Sequence, residues 1–191
     1  MTALVTVAGL DLPAVDLALA PGEVVAVLGP SRTGKTTLVE LLAGWTRPSV
    51  GTVRWEGSDR TPPWSRLTVV PQELALIEEL TVGENVGFAH RFDASRPDRS
   101  EEIMEQVGIT HLRDRGAFEI SIGERQRTMV ARALAGAPAC VLADEPVAHQ
   151  DSVRAEGVLA LLRQRADEGA AVLLATRDPD FTTIADRLIE L

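Results

Sequence analysis

The chain has 191 residues, of which 45% are hydrophobic, and its formal net charge is −9. This length and hydrophobic content suit a single domain, residues 1–191, with a core large enough to be stable without disulfides. The acidic balance argues against a nucleic-acid partner, because neutralising phosphates requires clustered cations. The only cysteine, Cys140, lies in an apolar run, which excludes an internal disulfide and favours a reducing, cytosolic compartment. No stretch approaches the roughly 18 apolar residues of a membrane span, so we expect membrane contact only through partners.

Short apolar segments in the first part of the chain predict β-strands. Alternating or continuous apolar runs place them at residues 4–7, 15–20, 24–28, 53–55 and 67–70. Pro21-Gly22 predicts the turn that leads into the 24–28 strand. The polar, proline-containing stretch 57–63 predicts a loop. We therefore expect a β-rich N-terminal part.

The 24–28 strand leads directly into a glycine-rich loop. Its sequence is Gly29-Pro30-Ser31-Arg32-Thr33-Gly34-Lys35-Thr36-Thr37, which matches G-x-x-x-x-G-K-[ST] and is typical of a phosphate-binding P-loop. In such a loop backbone N–H groups cradle the phosphates, Lys35 on the loop reaches the β/γ oxygens, and the Thr36 hydroxyl faces Mg²⁺. The apolar spacing that follows predicts a helix, whose N-terminal dipole favours phosphate binding. Lys35 is the only lysine among 19 Lys and Arg residues, which supports a specific role for it.

The rest of the chain predicts a helical segment followed by alternating strands and helices. The pattern is helical from about residue 81 to 137. The clearest elements are helices at 101–107, 125–135 and 153–165 and strands at 140–143 and 171–175. The strand–helix–strand rhythm at the end is typical of a parallel sheet. We therefore expect a sheet core split between residues 1–72 and 138–191, with a helical subdomain inserted at about 73–137.

Two adjacent carboxylates follow the predicted 140–143 strand. In a P-loop protein this position puts Asp144 near Mg²⁺ and Glu145 near the attacking water, an arrangement that suits phosphoryl transfer. Gln72 follows another predicted strand, where its amide can reach the metal and the water. Taken alone, Asp-Glu after an apolar run usually marks a strand end that meets solvent, and Gln72 alone is an ordinary loop residue.

An ordered set of motifs resembles the ATP-binding cassette (ABC) ATPases. The most specific is Ile120-Ser121-Ile122-Gly123-Glu124-Arg125-Gln126-Arg127, which is similar to the family signature Leu-Ser-Gly-Gly-Gln/Glu and stands at the family spacing from Asp144. Further matches are Gln72, Thr81-Val82, Glu84-Asn85-Val86 and Ala185-Asp186-Arg187. Together they cover nearly the whole chain. The amino-acid residues of these motifs are most similar to those of the lipoprotein-release and macrolide-export branch of the family.

The resemblance implies an α/β P-loop NTPase fold of the ABC type that dimerises head to tail, as a homodimer or as a heterodimer with a second cassette. It implies that ATP lies between the glycine-rich loop of one protomer and Ser121, Gly123 and Glu124 of the other. Hydrolysis in such a dimer drives transmembrane permease subunits. The implied location is therefore the cytoplasm, at the inner face of the cell membrane, with contact through the permease.

The resemblance also assigns a catalytic centre. It implies that Thr36, Gln72 and Asp144 surround Mg²⁺ and that Glu145 is the general base, with Gln72 also close to the water. The switch histidine of the family is replaced by Arg177, so a permanent cation stands where a group that can be neutral is expected. Such an arginine can still bind the γ-phosphate or stabilise charge in the transition state.

Other departures from the family pattern leave a second interpretation open. Ile122 replaces the first signature glycine, where backbone must approach phosphate closely. Residues 147–151 keep only the final aspartate of the usual D-loop, and His149 there is better interpreted as a solvated loop residue than as a displaced catalytic histidine. Arg32 replaces a small P-loop residue and is expected to face solvent. No aromatic residue precedes Trp45, so the usual adenine-stacking ring is missing, and a strong preference for ATP would require a platform from Trp45 or from a residue of a partner. The alternative is a regulatory subunit that binds nucleotide but hydrolyses little, as partner of a more regular cassette.

Overall fold

The computed structural model describes residues 3–8, 17–59, 63, 65–92, 95 and 97–191. Within these residues the chain forms two β-sheets and six α-helices. Three parts of the predicted elements lie outside the described residues. They are the first two positions of the predicted 15–20 strand, residues 60–62 of the predicted 57–63 loop, and residues 93, 94 and 96 of the predicted helical segment.

The N-terminal strands form a small antiparallel sheet. Its strands, in the order β2-β1-β4, are β2 (Leu17–Leu19), β1 (Val5–Ala8) and β4 (Thr52–Trp55). Every second residue of β1, Val5 and Val7, is buried, because successive side chains of a strand point to opposite faces. The buried face packs against the first helix, where the Trp55 indole donates a hydrogen bond to the Leu42 carbonyl at 3.2 Å.

The larger sheet has five parallel strands. In spatial order they are β5 (Leu67–Val70), β6 (Cys140–Asp144), β7 (Ala171–Thr176), β3 (Val24–Leu28) and β8 (Arg187–Glu190). The predicted strands 24–28 and 67–70 are confirmed residue for residue. Strand β8 was not predicted. Because parallel strands share one carboxyl-terminal edge, the residues that follow β3, β5, β6 and β7 meet there.

The helices cover both faces of the parallel sheet. They are α1 (Lys35–Ala43), α2 (Val82–Val86), α3 (Phe88–Phe92), α4 (Ser100–Gln106), α5 (Ile122–Leu134) and α6 (Ser152–Asp167). Helices α2 to α5 come between β5 and β6, in the region where the sequence predicted helices. Helix α5 begins three residues before the predicted start because Ser121 and Glu124 form a capping box that stabilises an earlier first turn.

Two hydrophobic clusters lie on opposite faces of the parallel sheet. On one face α1 and the antiparallel sheet contribute buried side chains such as Leu38, Leu42 and Trp55. On the other face α5, α6 and the shorter helices contribute Met129 and Leu162, among others. In the part of the chain that the structure describes, no helix is long and apolar enough to cross a membrane.

Candidate active site

The glycine-rich loop lies at the carboxyl end of β3 and leads directly into α1. Gly34 caps the helix with a φ of 103°, in the left-handed region that glycine adopts without a steric penalty. Lys35 is the first residue of α1, so the expectation that it lies on the loop is corrected. Its side chain is 6% exposed, and Nζ donates to the carbonyls of Gly29 at 2.7 Å and Pro30 at 2.9 Å. The ammonium is therefore fixed against the first turn of the loop.

Close packing accounts for the first glycine of the loop. A Cβ at Gly29 would lie 2.7 Å from the Leu191 carbonyl oxygen and 2.7 Å from Thr33 Oγ1. The Thr33 hydroxyl donates to the Pro30 carbonyl at 3.0 Å, which closes the loop on itself. Arg32 has a φ of 71°, a conformation that costs a residue with a Cβ about 1–2 kcal/mol. Its side chain is exposed, as the sequence predicted.

The three residues predicted to surround a metal come together at the carboxyl edge of the sheet. Thr36 Oγ1 donates to Asp144 Oδ2 at 2.6 Å and lies 3.4 Å from Gln72 Oε1. Asp144 is 1% exposed, and its Oδ1 has no hydrogen-bond partner among the described residues. Burial raises the pKa of Asp144 above its ordinary value, while the Thr36 hydrogen bond and the charge of Lys35 oppose that rise. A buried carboxylate oxygen without a partner, beside a hydroxyl and an amide oxygen, is a donor set that fits Mg²⁺.

Glu145 follows Asp144 but is less buried and has other neighbours. Its backbone adopts a φ of 47°, an uncommon conformation for a non-glycine residue that clusters at functional sites. The Thr176 hydroxyl donates to Glu145 Oε2 at 3.4 Å. Burial raises the pKa of the Glu145 carboxyl, and Asp144 adds to the rise, whereas the charges of Lys35 and Arg177 oppose it. A raised pKa brings this carboxyl closer to the range in which a general base is effective at neutral pH.

One open cleft of about 820 Å³ joins these groups. Small-molecule sites typically occupy roughly 300–1,000 Å³, so the cleft is large enough for a nucleotide. Its lining residues are Ser31, Arg32, Gly34, Lys35, Thr36, Thr37, Gln72, Glu145, Val147, Ala148, His149, Gln150, Arg177, Asp178 and Phe181. The structure thus places the predicted catalytic residues Gln72, Glu145 and Arg177 in the same cleft as the glycine-rich loop.

The predicted signature residues lie outside this cleft, at the N-terminus of α5. Ser121 Oγ accepts from the Glu124 N–H at 3.3 Å, and Glu124 Oε2 accepts from the Ser121 N–H at 2.8 Å and from its hydroxyl at 2.7 Å. The bonds that the Glu124 carboxylate accepts from the Ser121 hydroxyl and N–H lower the pKa of this carboxyl. The Ile122 side chain beside them is 53% exposed. Ser121, Gly123 and Glu124 are therefore not brought to the glycine-rich loop of their own chain.

Some residues of the site were missed or misplaced by the sequence analysis. Thr176 is fully buried beside the proposed base, and its position just after the predicted 171–175 strand was the available signal. Phe181 lines the cleft from a 3₁₀ segment (Pro179–Ile184) whose sequence pattern gives no such signal. Trp45, named as a possible adenine platform, follows the far end of α1 and is not among the residues that line the cleft. His149 is an exposed loop residue, as predicted, although it lies at the cleft.

A glycine-rich loop between a parallel strand and a helix, with a carboxylate pair on a nearby strand, defines a P-loop nucleotide-binding domain. The family model described as ABC transporter matches residues 12–148, and the chain belongs to this family. The resemblance to ABC ATPases and the predicted α/β P-loop fold class are confirmed.

Similar proteins extend this result. The uncharacterized ABC transporter ATP-binding protein Rv0073 of Mycobacterium tuberculosis (strain ATCC 25618 / H37Rv) is 37% identical over 192 residues, which cover 92% of this chain and 57% of that protein. This chain thus spans just over half the length of that relative. The lipoprotein-releasing system ATP-binding protein LolD 1 of Rhodopseudomonas palustris (strain ATCC BAA-98 / CGA009) is 35% identical over 195 residues, covering 94% of this chain and 86% of LolD 1. A dimeric post-hydrolysis structure of the ATP-binding cassette MJ0796 with ADP and Pi has a TM-score of 0.88 at 24% identity, covers 98% of this chain and 94% of that chain, and shows the fold.

Proposed function

We propose that this chain is the ATP-binding and ATP-hydrolysing subunit of an ABC membrane transporter whose transport path lies in separate permease subunits. The observation that carries the proposal is the 2.6 Å hydrogen bond between the Thr36 hydroxyl and the Asp144 carboxylate. This bond joins the first turn of α1, directly after the glycine-rich loop, to the end of β6. P-loop proteins bind the phosphates and Mg²⁺ of ATP at this place. Family membership and the names of the relatives support the transport role.

ATP binding is assigned to the loop and to the residues behind it. Backbone N–H groups of residues 31–37, in the loop and at the N-terminus of α1, bind phosphate oxygens. Lys35 exchanges its two carbonyl partners for the β/γ oxygens. Mg²⁺, when held by Thr36, Gln72 and Asp144, supplies positive charge that neutralises the phosphates. The unpaired Oδ1 of Asp144 supports this assignment.

Hydrolysis is assigned to the residues at the rim of the cleft. The Glu145 carboxylate accepts a proton from the attacking water, and the Gln72 amide orients that water. Arg177, which lines the same cleft, contributes a permanent cation toward the γ-phosphate. Because a guanidinium stays protonated, Arg177 stabilises negative charge but cannot relay a proton.

The signature residues support a dimeric arrangement. Ser121, Gly123 and Glu124 lie outside their own cleft, so they are assigned to the ATP of a second cassette packed head to tail, in a homodimer or a heterodimer. In this proposal residues 1–72 and 138–191 form the nucleotide-binding core and about 73–137 form the helical subdomain. The subunit acts in the cytoplasm and reaches the membrane only through the permease.

A second candidate function is a regulatory subunit that binds ATP but hydrolyses little. The exposed Ile122 at the start of α5 and the cation Arg177 favour it. Loss of one transition-state contact typically lowers a rate about 10²–10³-fold. We therefore expect Arg177→His and Ile122→Gly, singly and together, to raise phosphate release above wild type. If wild type turns over as fast as the double variant, both departures are neutral and the attenuated site is refuted.

The main test measures ATP binding and steady-state phosphate release by the purified chain. Lys35→Ala is expected to lose ATP binding. Glu145→Gln is expected to keep ATP affinity, to lose about 10²–10⁴-fold in rate and to accumulate an ATP-dependent dimer on size exclusion. Glu79→Gln, an exposed glutamate outside the cleft, is the matched control. Unchanged binding and hydrolysis in Lys35→Ala would refute the proposal. ATP binding by wild type without phosphate release would select the regulatory alternative.

A further inference from the structure

The last residue of strand β7 links three parts of the candidate active site. This residue, Thr176, is 0% exposed. Its carbonyl accepts a hydrogen bond from the Gly29 N–H at 3.2 Å, at the start of the glycine-rich loop. Its hydroxyl accepts from the Asp178 N–H at 3.1 Å and donates to Glu145 Oε2 at 3.4 Å. One buried residue therefore contacts the phosphate-binding loop, the proposed general base and the segment that contains Arg177.

The direction of the Thr176 hydroxyl proton follows from these contacts. A hydroxyl carries one proton and two lone pairs. The Asp178 N–H occupies a lone pair, so the proton is available for the Glu145 carboxylate. Because Thr176 is fully buried, water cannot readily compete for this proton. The oxygen–oxygen distance of 3.4 Å is longer than the usual range of roughly 2.5–3.0 Å, so we assign the bond an orienting role and no large contribution to stability.

The backbone of Glu145 is held by the same strand. Asp144 is paired with Ala175 in the register of β6 and β7, and the Glu145 N–H donates to the Ala175 carbonyl at 2.9 Å. Glu145 has a φ of 47°, a conformation that persists in a residue with a Cβ only where the surrounding contacts determine it. Ala175 and Thr176, which are consecutive in β7, therefore hold the backbone and the carboxylate of Glu145, respectively.

We infer that Thr176 is a positioning residue that holds the Glu145 carboxylate in the orientation in which it accepts a proton from the attacking water. The inference rests on the proposed ATPase function, in which Glu145 is the general base. Thr176 is not among the residues that line the cleft, so it acts through Glu145 and not on ATP itself. Misplacement of a catalytic group by about 1 Å can lower a rate about 10²-fold.

Substitutions at Thr176 separate the role of the hydroxyl from that of the methyl group. Thr176→Val removes the hydroxyl and nearly keeps the shape of the side chain. Thr176→Ser keeps the hydroxyl and removes the methyl group, whereas Thr176→Ala removes both. If melting temperatures show that Thr176→Val does not fold, the comparison of Thr176→Ser with Thr176→Ala decides the test. The carbonyl bond to Gly29 belongs to the backbone, so all these variants can form it.

Ser100→Ala is the matched control for the loss of a buried hydroxyl. Ser100 is 6% exposed, and its hydroxyl donates to the Asp98 carboxylate at 2.5 Å. Neither residue lines the cleft. The same kind of bond, from a hydroxyl to a carboxylate, is therefore removed away from the proposed base. We expect Ser100→Ala to lower the melting temperature without changing the rate of phosphate release per bound ATP.

The experiment uses the whole chain and measures ATP affinity, steady-state phosphate release and ATP-dependent dimerisation on size exclusion. For Thr176→Val and Thr176→Ala we expect unchanged ATP affinity and a kcat about 10- to 100-fold below wild type. Because slow hydrolysis preserves bound ATP, both variants should also accumulate an ATP-dependent dimer, as expected for Glu145→Gln. Thr176→Ser should keep a kcat close to that of wild type and accumulate no such dimer.

A double variant tests whether Thr176 acts through Glu145. Residues that act as a unit are non-additive in kinetics. Thr176→Val is therefore expected to cause no further loss of rate when it is added to Glu145→Gln. A further loss as large as that in the wild-type background would overturn the inference, because Thr176 would then act on hydrolysis by another route.

The remaining outcomes distinguish the inference from the proposed function. A Thr176→Val protein that hydrolyses ATP at the wild-type rate would overturn the positioning role and leave the ATPase proposal intact. A Thr176→Ser protein as slow as Thr176→Ala would overturn it as well, because the methyl group would then be the required part. Slower hydrolysis that results only from lower ATP affinity would assign Thr176 to the glycine-rich loop instead. A wild type that releases no phosphate would overturn the proposed hydrolysis and the inference with it.

Discussion

Replacing Thr36 by valine removes one hydroxyl and nearly preserves the shape of the side chain. Among the described residues, this hydroxyl is the one hydrogen-bond donor to the Asp144 carboxylate. Asp144 is 1% exposed, so water cannot readily replace the lost donor. A hydrogen bond to a charged group contributes about 1.5–3 kcal/mol. We expect Thr36→Val to lower the free energy of unfolding by that amount at neutral pH without nucleotide, which for a chain of this size lowers the melting temperature by about 3–12 °C.

The effect of Thr36→Val is expected to depend on pH. Burial raises the folded-state pKa of Asp144, so the stability present at low pH is lost as pH rises through that folded pKa. The Thr36 hydrogen bond opposes the rise in the pKa, and its removal raises the pKa further. The stability difference between Thr36→Val and wild type should therefore be largest at neutral pH. It should shrink in acid, where Asp144 is protonated in both proteins.

Urea unfolding followed by circular dichroism measures this difference. Thr37→Val is the matched control, because Thr37 is the exposed neighbour and its side chain forms no hydrogen bond within the described part of the chain. A double-mutant cycle of Thr36→Val with Asp144→Asn isolates the pair. Equal stability of Thr36→Val and Thr37→Val at pH 7, or additive effects in the cycle, would refute the assigned energy of this bond.

Other tests address packing, catalysis and base selectivity. Gly29→Ala should lower the free energy of unfolding by about 1–3 kcal/mol in urea, because its Cβ would lie 2.7 Å from the Leu191 oxygen. Gly157→Ala lies on the exposed face of α6 with nothing within 4 Å of the added Cβ, so it should raise the free energy of unfolding by about 0.5–1 kcal/mol. A stabilising Gly29→Ala or a destabilising Gly157→Ala would contradict the packing described for these glycines. The hydrolysis rate should fall as pH is lowered through a Glu145 pKa above its ordinary 4.5, and a profile centred at or below that value would exclude Glu145 as the base. ATP and GTP should compete with similar affinity because no aromatic residue precedes Trp45, so a strong preference for ATP would require another stacking group.

Local patterns predicted most of the fold because the decisive strands are buried. Strands β6 and β7 are buried along their whole length, so they read as continuous apolar runs. Strand β8 was missed because it lies at the edge of the sheet, and only one of its residues, Ile189, is partly buried. The start of α5 was placed late because capping by Ser121 depends on a side-chain contact with Glu124, whereas the apolar pattern begins further along the helix.

For the site, too, the success of prediction depended on whether the residues are neighbours in the sequence. The glycine-rich loop is contiguous, so its residues follow from one motif. The motifs predicted that Thr36 and Asp144, 108 residues apart, lie close together, whereas the direct hydrogen bond between them became visible only in the structure. The contact of Gln150 with Gly123, over 27 residues, has no pattern at all, because it lies in a segment that departs from the family sequence. Individual side-chain contacts between residues that are distant in the sequence therefore could not be predicted from the sequence alone.

The position of β3 in the sheet has a consequence for synthesis of the chain. Strand β3 lies between β7 and β8, and the Val24 N–H donates to the Asp186 carboxylate, 162 residues later in the sequence. A ribosome that adds about 5–20 residues per second completes β3 roughly 8–30 s before these partners exist. Until then the apolar strand has neither neighbour, and the loop that follows it cannot be held in place. The nascent chain is therefore expected to gain nucleotide affinity only after β7 and β8 have emerged, and to present β3 to chaperones in the interval.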